Sequence, residues 1–244
     1  FRHLTYRTKA IGEWYPFIVE ADILVPIEAP TERHKVYAAL VAFSRLKMFD
    51  QARITQFAAD FEVLCYEAAV AFAIDWKVIH FGVGGRDRAH YGNKLKESLS
   101  VLATTLREDT NAKALAKISE NNTGDAGIDI IVYRDWDDPA QGMPSYFGQC
   151  AAQQLGWPKK KFEASALNLE RYFSFFHKPG TLMFIPVCYR GLDGHWLDYD
   201  GHQTIIVDRN RIIELLETRI GLAQDEKAVL NLVPKPFELG CAVV

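Results

Sequence analysis

From about Gln51 to Phe72 the chain sets Ile54, Phe57, Ala58, Phe61, Cys65, Ala68, Ala69 and Phe72 at helical spacing. An apolar stripe of that length has to be buried, so the rest of the chain must fold to cover it. Downstream, helix and strand signals alternate. Lys77-Val-Ile-His-Phe reads as a short strand ended by Gly82 and the Gly84-Gly85 pair, and a helix follows from about Asn93 to Arg107. Ile128-Asp-Ile-Ile-Val-Tyr reads as a second strand, Asp135 to Pro144 as a polar loop, and Ser145-Tyr-Phe-Gly-Gln-Cys-Ala as a third strand. A hairpin is the simplest pairing of these two. Beyond Pro158 the pattern predicts a helix to about Phe176, a strongly apolar strand from Thr181 to Tyr189, a strand at Thr204 to Val207 and a helix from about Arg209 to Thr218. The order predicts an α/β fold, a mixed central sheet with helices on both faces.

Upstream of the stripe a helix is expected from Thr31 to about Met48. The segment from Phe1 to Pro30 carries Pro16, Pro26 and Pro30 and reads as an extended arm, with Asp22-Ile-Leu-Val-Pro as an edge strand. A length of 244 residues suits one substantial domain. Within it the expected divisions are an N-terminal arm and helix (1–50), a core (51–190) and a C-terminal extension packed on that core (191–244). The chain starts at Phe1 rather than Met, so a trimmed product is expected.

A net charge of -3 excludes a protein that binds nucleic acid by its overall field, and leaves room only for a local basic groove. Cys65, Cys150, Cys188 and Cys241 lie far apart with no C-x-x-C, which argues against a structural zinc site and a disulfide framework, and a reducing cytoplasm fits best. No stretch has the length of a membrane span, and no signal peptide is visible.

Chemistry concentrates on the hairpin. Gly124-Asp-Ala-Gly-Ile-Asp129 opens one strand and Gly148-Gln-Cys-Ala151 lies on the next, so Asp129 and Gln149 can converge. Two oxygen-bearing side chains on paired strands, beside a glycine turn that admits a substrate backbone, make a seat for a hard cation such as Mg²⁺. Phosphodiester cleavage uses such a seat, because the metal polarises the phosphoryl oxygen, lowers the pKa of an attacking water and offsets charge on the leaving oxygen.

At these residues the sequence resembles the PD-(D/E)xK nuclease superfamily and, within it, the Mrr-like restriction endonucleases, over about Gln51 to Tyr189. The family pattern is G-D-x-G-[IV]-D on one strand and Q-C-K or E-x-K on the next. The resemblance implies a restriction-endonuclease-like core, with the element order αβαββαβ read here. It implies Asp129 as metal-binding aspartate, Gln149 as the acidic or glutamine position, Asp125 as the first aspartate of the turn, and Glu62 of Phe61-Glu62 as a first-helix carboxylate. Where the family carries lysine this chain has Ala151. The run Gly148-Gln-Cys-Ala, then Trp157, then Lys160 is similar to a subgroup whose lysine has moved to the next helix, which makes Lys160 the matching residue. A helix start also favours phosphate. Implied in turn are Mg²⁺ or Mn²⁺ as cofactor, DNA as substrate, a partner subunit or a homodimer, and a role in defence against foreign DNA. Arg86 and Arg88 in the glycine-rich loop, Lys159 and Lys161 beside Lys160, and Lys94 and Lys96 are the candidate contacts to a phosphate backbone.

Other readings use the same residues. Asp125 and Asp129 beside glycines are ordinary turn chemistry, Glu62 fits a solvated helix flank, and Lys159 to Lys161 fit a solvated face. With Ala151 in the lysine position, a catalytically silent member of the fold that binds DNA or assembles a complex is the alternative. A papain-like thiol enzyme would use Cys150 with His195 and Asp198, against which Cys150 reads more simply as a small buried side chain.

Overall fold

Asp50 starts the long helix: its side chain accepts from the Arg53 N–H at 2.9 Å, satisfying one of the free donors of the first turn. In the computed structural model, which describes residues 2–152, 156–197 and 203–231, that helix runs from Gln51 to Phe72. The elements in order are α1 (Arg2–Ile11), a 3₁₀ turn (Gly12–Trp14), β1 (Phe17–Glu20), β2 (Ile23–Pro26), α2 (Glu32–Phe43), a second 3₁₀ turn (Leu46–Met48), α3 (Gln51–Phe72), β3 (Lys77–His80), α4 (Arg88–Tyr91), α5 (Leu95–Leu106), β4 (Asp109–Thr110) and α6 (Ala112–Leu115). There follow β5 (Ile130–Tyr133), β6 (Ser145–Cys150), α7 (Trp157–Lys160), α8 (Ala166–Leu169), β7 (Phe173–Ser174), β8 (Gly180–Phe184), β9 (Ile205–Val207), α9 (Arg209–Ala223) and α10 (Glu226–Leu230).

Among the described residues the central sheet has five strands in the order β3-β5-β6-β8-β9. The first three are antiparallel neighbours, and β6, β8 and β9 run parallel. The fold is therefore α/β with a mixed sheet. Both faces are covered, which is why β5 is an unbroken apolar run with all four residues buried. Side chains alternate between the two cores. Ile130 and Val132 pack on the side of α2, α3 and α9, with Phe43, Phe61, Leu64 and Leu216. Ile131 and Tyr133 face the layer built from the Leu95, Leu99, Leu102 and Leu106 stripe of α5.

Four expectations change. The helix expected to about Met48 ends at Phe43, and Leu46–Met48 is a separate 3₁₀ turn. The N-terminal segment is a helix followed by the β1–β2 hairpin, not an extended arm, although Ile23–Pro26 is a strand as read. The helix expected to Phe176 is broken: Ser165 caps a fresh start, accepting from Asn168 N at 3.3 Å, and β7 then pairs with β4. The strand from Thr181 stops at Phe184, because Pro186 has no N–H to continue the ladder. From the segment beyond 191, β9 completes the sheet and α9 packs along α3, burying Ile212, Ile213, Leu216 and Ile220. No helix among the described residues is long and apolar enough to cross a membrane.

Candidate active site

The antiparallel register of β5 and β6 pairs Ile130 with Gly148, so one residue further Asp129 stands opposite Gln149. Backbone hydrogen bonds fix Asp129 from both sides. Its N–H donates to Gly148 O at 2.9 Å, and its carbonyl accepts from Phe81 N at 2.8 Å and Gly82 N at 3.0 Å. Its carboxylate Oδ2 accepts from the Cys150 N–H at 2.6 Å. Asp129 is 8% exposed and Gln149 4%.

Glu62 reaches the same place from α3, its Oε2 lying 3.5 Å from His80 Nε2. Gly82 makes the meeting possible. A Cβ there would sit 3.0 Å from Glu62 Oε2 and 3.3 Å from Asp129 Oδ1, so a residue without a side chain leaves the space that the two carboxylates share. Burial first, and the Glu62 carboxylate second, push the Asp129 carboxyl well above the usual carboxylate range, while the Cys150 N–H and the Lys160 ammonium pull the other way. The third group is Gln149. Its Nε2 donates to Glu163 Oε2 at 2.5 Å, and its Oε1 is buried without a hydrogen-bond partner among the described residues. Glu62, Asp125, Asp129, Gln149, Lys160 and Glu163 all line one cleft of about 350 Å³.

No family model, curated protein or solved structure matches the chain. What the cleft can do therefore has to be read from its donors. Among the described residues no three His, Cys, Asp or Glu side chains gather as a metal-holding group. A hard cation here would be held by two carboxylates, Asp129 and Glu62, and by the amide oxygen of Gln149, with its other positions filled by water and phosphate oxygens, as Mg²⁺ commonly is. Gln149 Oε1, without a partner among the described residues, fits that use, since a buried acceptor without a donor is costly unless something is bound to it.

Asp125 lines the cleft, but its Oδ1 accepts from Gly127 N at 2.8 Å, so this carboxylate also shapes the turn. Arg88 is not a groove residue. It is 5% exposed, and its guanidinium donates to the carbonyls of Gly124 (2.8 Å), Thr123 (3.4 Å) and Phe81 (3.4 Å), which ties the loop after β3 to the glycine turn ahead of Asp129. A guanidinium spent on three carbonyls inside the protein has no face left for a phosphate backbone. Arg86 is exposed, stacks over Tyr66 at 4.1 Å and meets buried Glu67 at 3.3 Å. Lys96 pairs with Glu120 at 2.9 Å. Lys159 is exposed at the end of α7, and Lys161 lies over the Phe162 ring at 5.1 Å, next to the cleft-lining Lys160.

Ala151 is 3% exposed and belongs to a small core with Trp157, Met183, Ile185 and Ile206, so the position where the resemblance expects lysine is part of the packing. The Cys150 thiol faces Cys65, and burial, then Cys65, push it well above the ordinary range, the reverse of an activated nucleophile. His195 is exposed and does not line the cleft. Asp198, the third member of that arrangement, lies outside the described residues, as does Cys241.

Three residues of the site were not singled out from sequence. Glu163 follows Lys160 in the same turn, and a carboxylate that close to a candidate catalytic lysine was the available signal. His80, 2% exposed, closes the short strand Lys77–His80 after Val78 and Ile79, and neither ring nitrogen makes a hydrogen bond among the described residues. Gly82 is marked by the sequence only as the end of a strand.

Proposed function

We propose that this cleft is the active site of a metal-dependent nuclease that hydrolyses DNA phosphodiesters with Mg²⁺ or Mn²⁺. One observation carries the reading: the Glu62 and Asp129 carboxylates share the space over Gly82, while Gln149, which lines the same cleft, keeps a buried carbonyl oxygen without a hydrogen-bond partner among the described residues. The helix-strand-strand-strand-helix-strand order of α3, β3, β5, β6, the α7–α8 segment and β8 supports a restriction-endonuclease-like core.

Asp129, Glu62 and Gln149 Oε1 are the cation's protein ligands. A divalent cation held there supplies Lewis-acid polarisation of the phosphoryl oxygen and a water of lowered pKa. Lys160 brings an ammonium to the same cleft, where it holds the scissile phosphate and offsets the charge that grows on its oxygens. Lys159 and Lys161 extend that positive edge and position the backbone without reading sequence.

Supercoiled plasmid incubated with the chain tests this. Nicking in Mg²⁺ or Mn²⁺ is expected from the native chain, with loss in EDTA and in Asp129→Ala, and with iodoacetamide having no effect. Equal outcomes for the native chain and Asp129→Ala would leave the second reading, favoured by Ala151 in the lysine position: a silent module that binds DNA or assembles a complex. Inactivation by iodoacetamide with resistance to EDTA would revive the thiol chemistry of Cys150.

A further inference from the structure

Gln149 is neutral, and an amide has two faces of opposite use to a cation: the carbonyl attracts it and the NH₂ repels it. Nothing in the amide itself selects the useful face, since the two orientations have nearly the same shape. Glu163 supplies the selection. Its Oε2 stands 2.5 Å from Gln149 Nε2, a distance at which a carboxylate accepts from an N–H and would be repelled by a carbonyl oxygen. With the NH₂ drawn to Glu163, Oε1 is left as the buried atom without a partner among the described residues, on a side chain that lines the cleft.

Glu163 is itself fixed. Its N–H donates to Lys160 O at 2.8 Å, and its carbonyl accepts from Asn168 Nδ2 at 2.7 Å. Gly127, at φ +81°, runs beneath it. A Cβ on Gly127 would come within 2.7 Å of the Glu163 Cβ, so the close approach needs a glycine both for its backbone conformation and for its lack of a side chain. The same short turn thus carries Lys160 and Glu163 to the cleft, one facing the substrate and the other facing the ligand.

We infer that Glu163 is a positioning residue that orients the Gln149 amide so that its carbonyl oxygen serves the cation site. This rests on the reading of the cleft as a cation seat. It answers the question of how a strand glutamine replaces an acidic ligand: the charge is placed one shell out, where it aligns a dipole instead of binding the ion.

The test is a double-mutant cycle read by Mn²⁺ binding, with free Mn²⁺ followed by electron paramagnetic resonance as MnCl₂ is titrated in. Glu163→Ala is expected to weaken binding by about tenfold, the lower end of the roughly 10- to 100-fold typical of an outer-shell partner, and Gln149→Ala, which removes the ligand itself, by at least as much. The double variant should bind no more weakly than Gln149→Ala alone, because Glu163 acts only through the amide. Losses that add would make Glu163 an independent contributor, and an unchanged affinity in Glu163→Ala would give it no part; either overturns the inference while the nuclease reading stands. No Mn²⁺ binding by the native chain overturns both. Should Glu163→Ala fail to fold, Glu163→Met, of similar length and without an acceptor oxygen, takes its place in the cycle. A second readout needs no metal: one Gln149 side-chain amide proton should be shifted downfield and exchange slowly in the native chain, and lose both properties in Glu163→Met, which keeps the length of the side chain but has no acceptor oxygen. Their retention would contradict the inference.

Discussion

The Cys150 N–H donates to Asp129 Oδ2 at 2.6 Å, so the backbone of β6 holds the carboxylate carried at the start of β5. The other oxygen, Oδ1, is left on the side of Gly82 and Glu62. An acidic pair in a buried place is unfavourable unless a positive charge compensates it, and here that tension is built by the strand pairing itself.

Gly82 is the most economical place to disturb this. In Gly82→Ala the new Cβ meets the end of the flexible Glu62 side chain at 3.0 Å, so the carboxylate moves off while the sheet stays intact. Mn²⁺ affinity and cleavage should fall by about tenfold or more, with the thermal midpoint changed by less than that of a core variant. Calorimetric titration beside a melting curve measures both; a large fall in the midpoint with unchanged Mn²⁺ affinity would contradict the assignment.

Lys160 lines the cleft without being a cation ligand. Lys160→Ala should lower kcat by roughly 100-fold, the scale of losing one preorganised electrostatic group, and leave Mn²⁺ affinity intact. Single-turnover cleavage beside a Mn²⁺ titration separates the two effects. Cleavage at the native rate would place the catalytic ammonium elsewhere.

Arg88 and Lys159 should behave as opposites although both are basic. Arg88→Ala strips donors from the carbonyls of Phe81, Thr123 and Gly124, at a cost of about 2–4 kcal/mol visible as a lower urea midpoint. Lys159→Ala should leave the urea midpoint in place and reduce the salt slope of DNA binding by about one. A stability loss in Lys159→Ala with none in Arg88→Ala would reverse the assignment.

Alkali should destabilise the fold through its buried phenols. Burial first, then Tyr37, push the Tyr15 hydroxyl up to about 12, and burial also raises Tyr66, Tyr91 and Tyr133. The unfolded chain releases these protons from about pH 10 while the folded chain keeps them, so stability is fully present below that pH and is lost as pH rises toward 12. Tyrosinate absorbance at 295 nm should therefore lag behind that of the denatured protein. Coincident titration curves would contradict the burial of these rings.

Much of the frame was legible in the sequence because local pattern and burial agree there. The Ile54 to Phe72 stripe became α3 with both ends as read, and the glycine turn before an apolar run became the start of β5, so the approach of Asp129 to Gln149 could be seen in advance. Where local pattern is weak it misled. Arg2–Ile11 is a helix that buries only Ile11, so no apolar stripe announces it. Past Lys160, Ser165 competes with helix continuation through its own side chain, which periodicity does not register. Arg88 looks like any loop arginine until its burial is known. The Gln149–Glu163 pair arises from chain segments fourteen residues apart brought together by tertiary packing, and no spacing rule encodes it.

A crystal soaked in Mn²⁺ and measured at a wavelength where manganese scatters anomalously tests the central claim most directly. The expected result is an anomalous peak within coordination distance of Asp129, Glu62 and Gln149 Oε1, absent from crystals of Asp129→Ala. Native crystals with no peak in that cleft, or with manganese held only elsewhere, would contradict it.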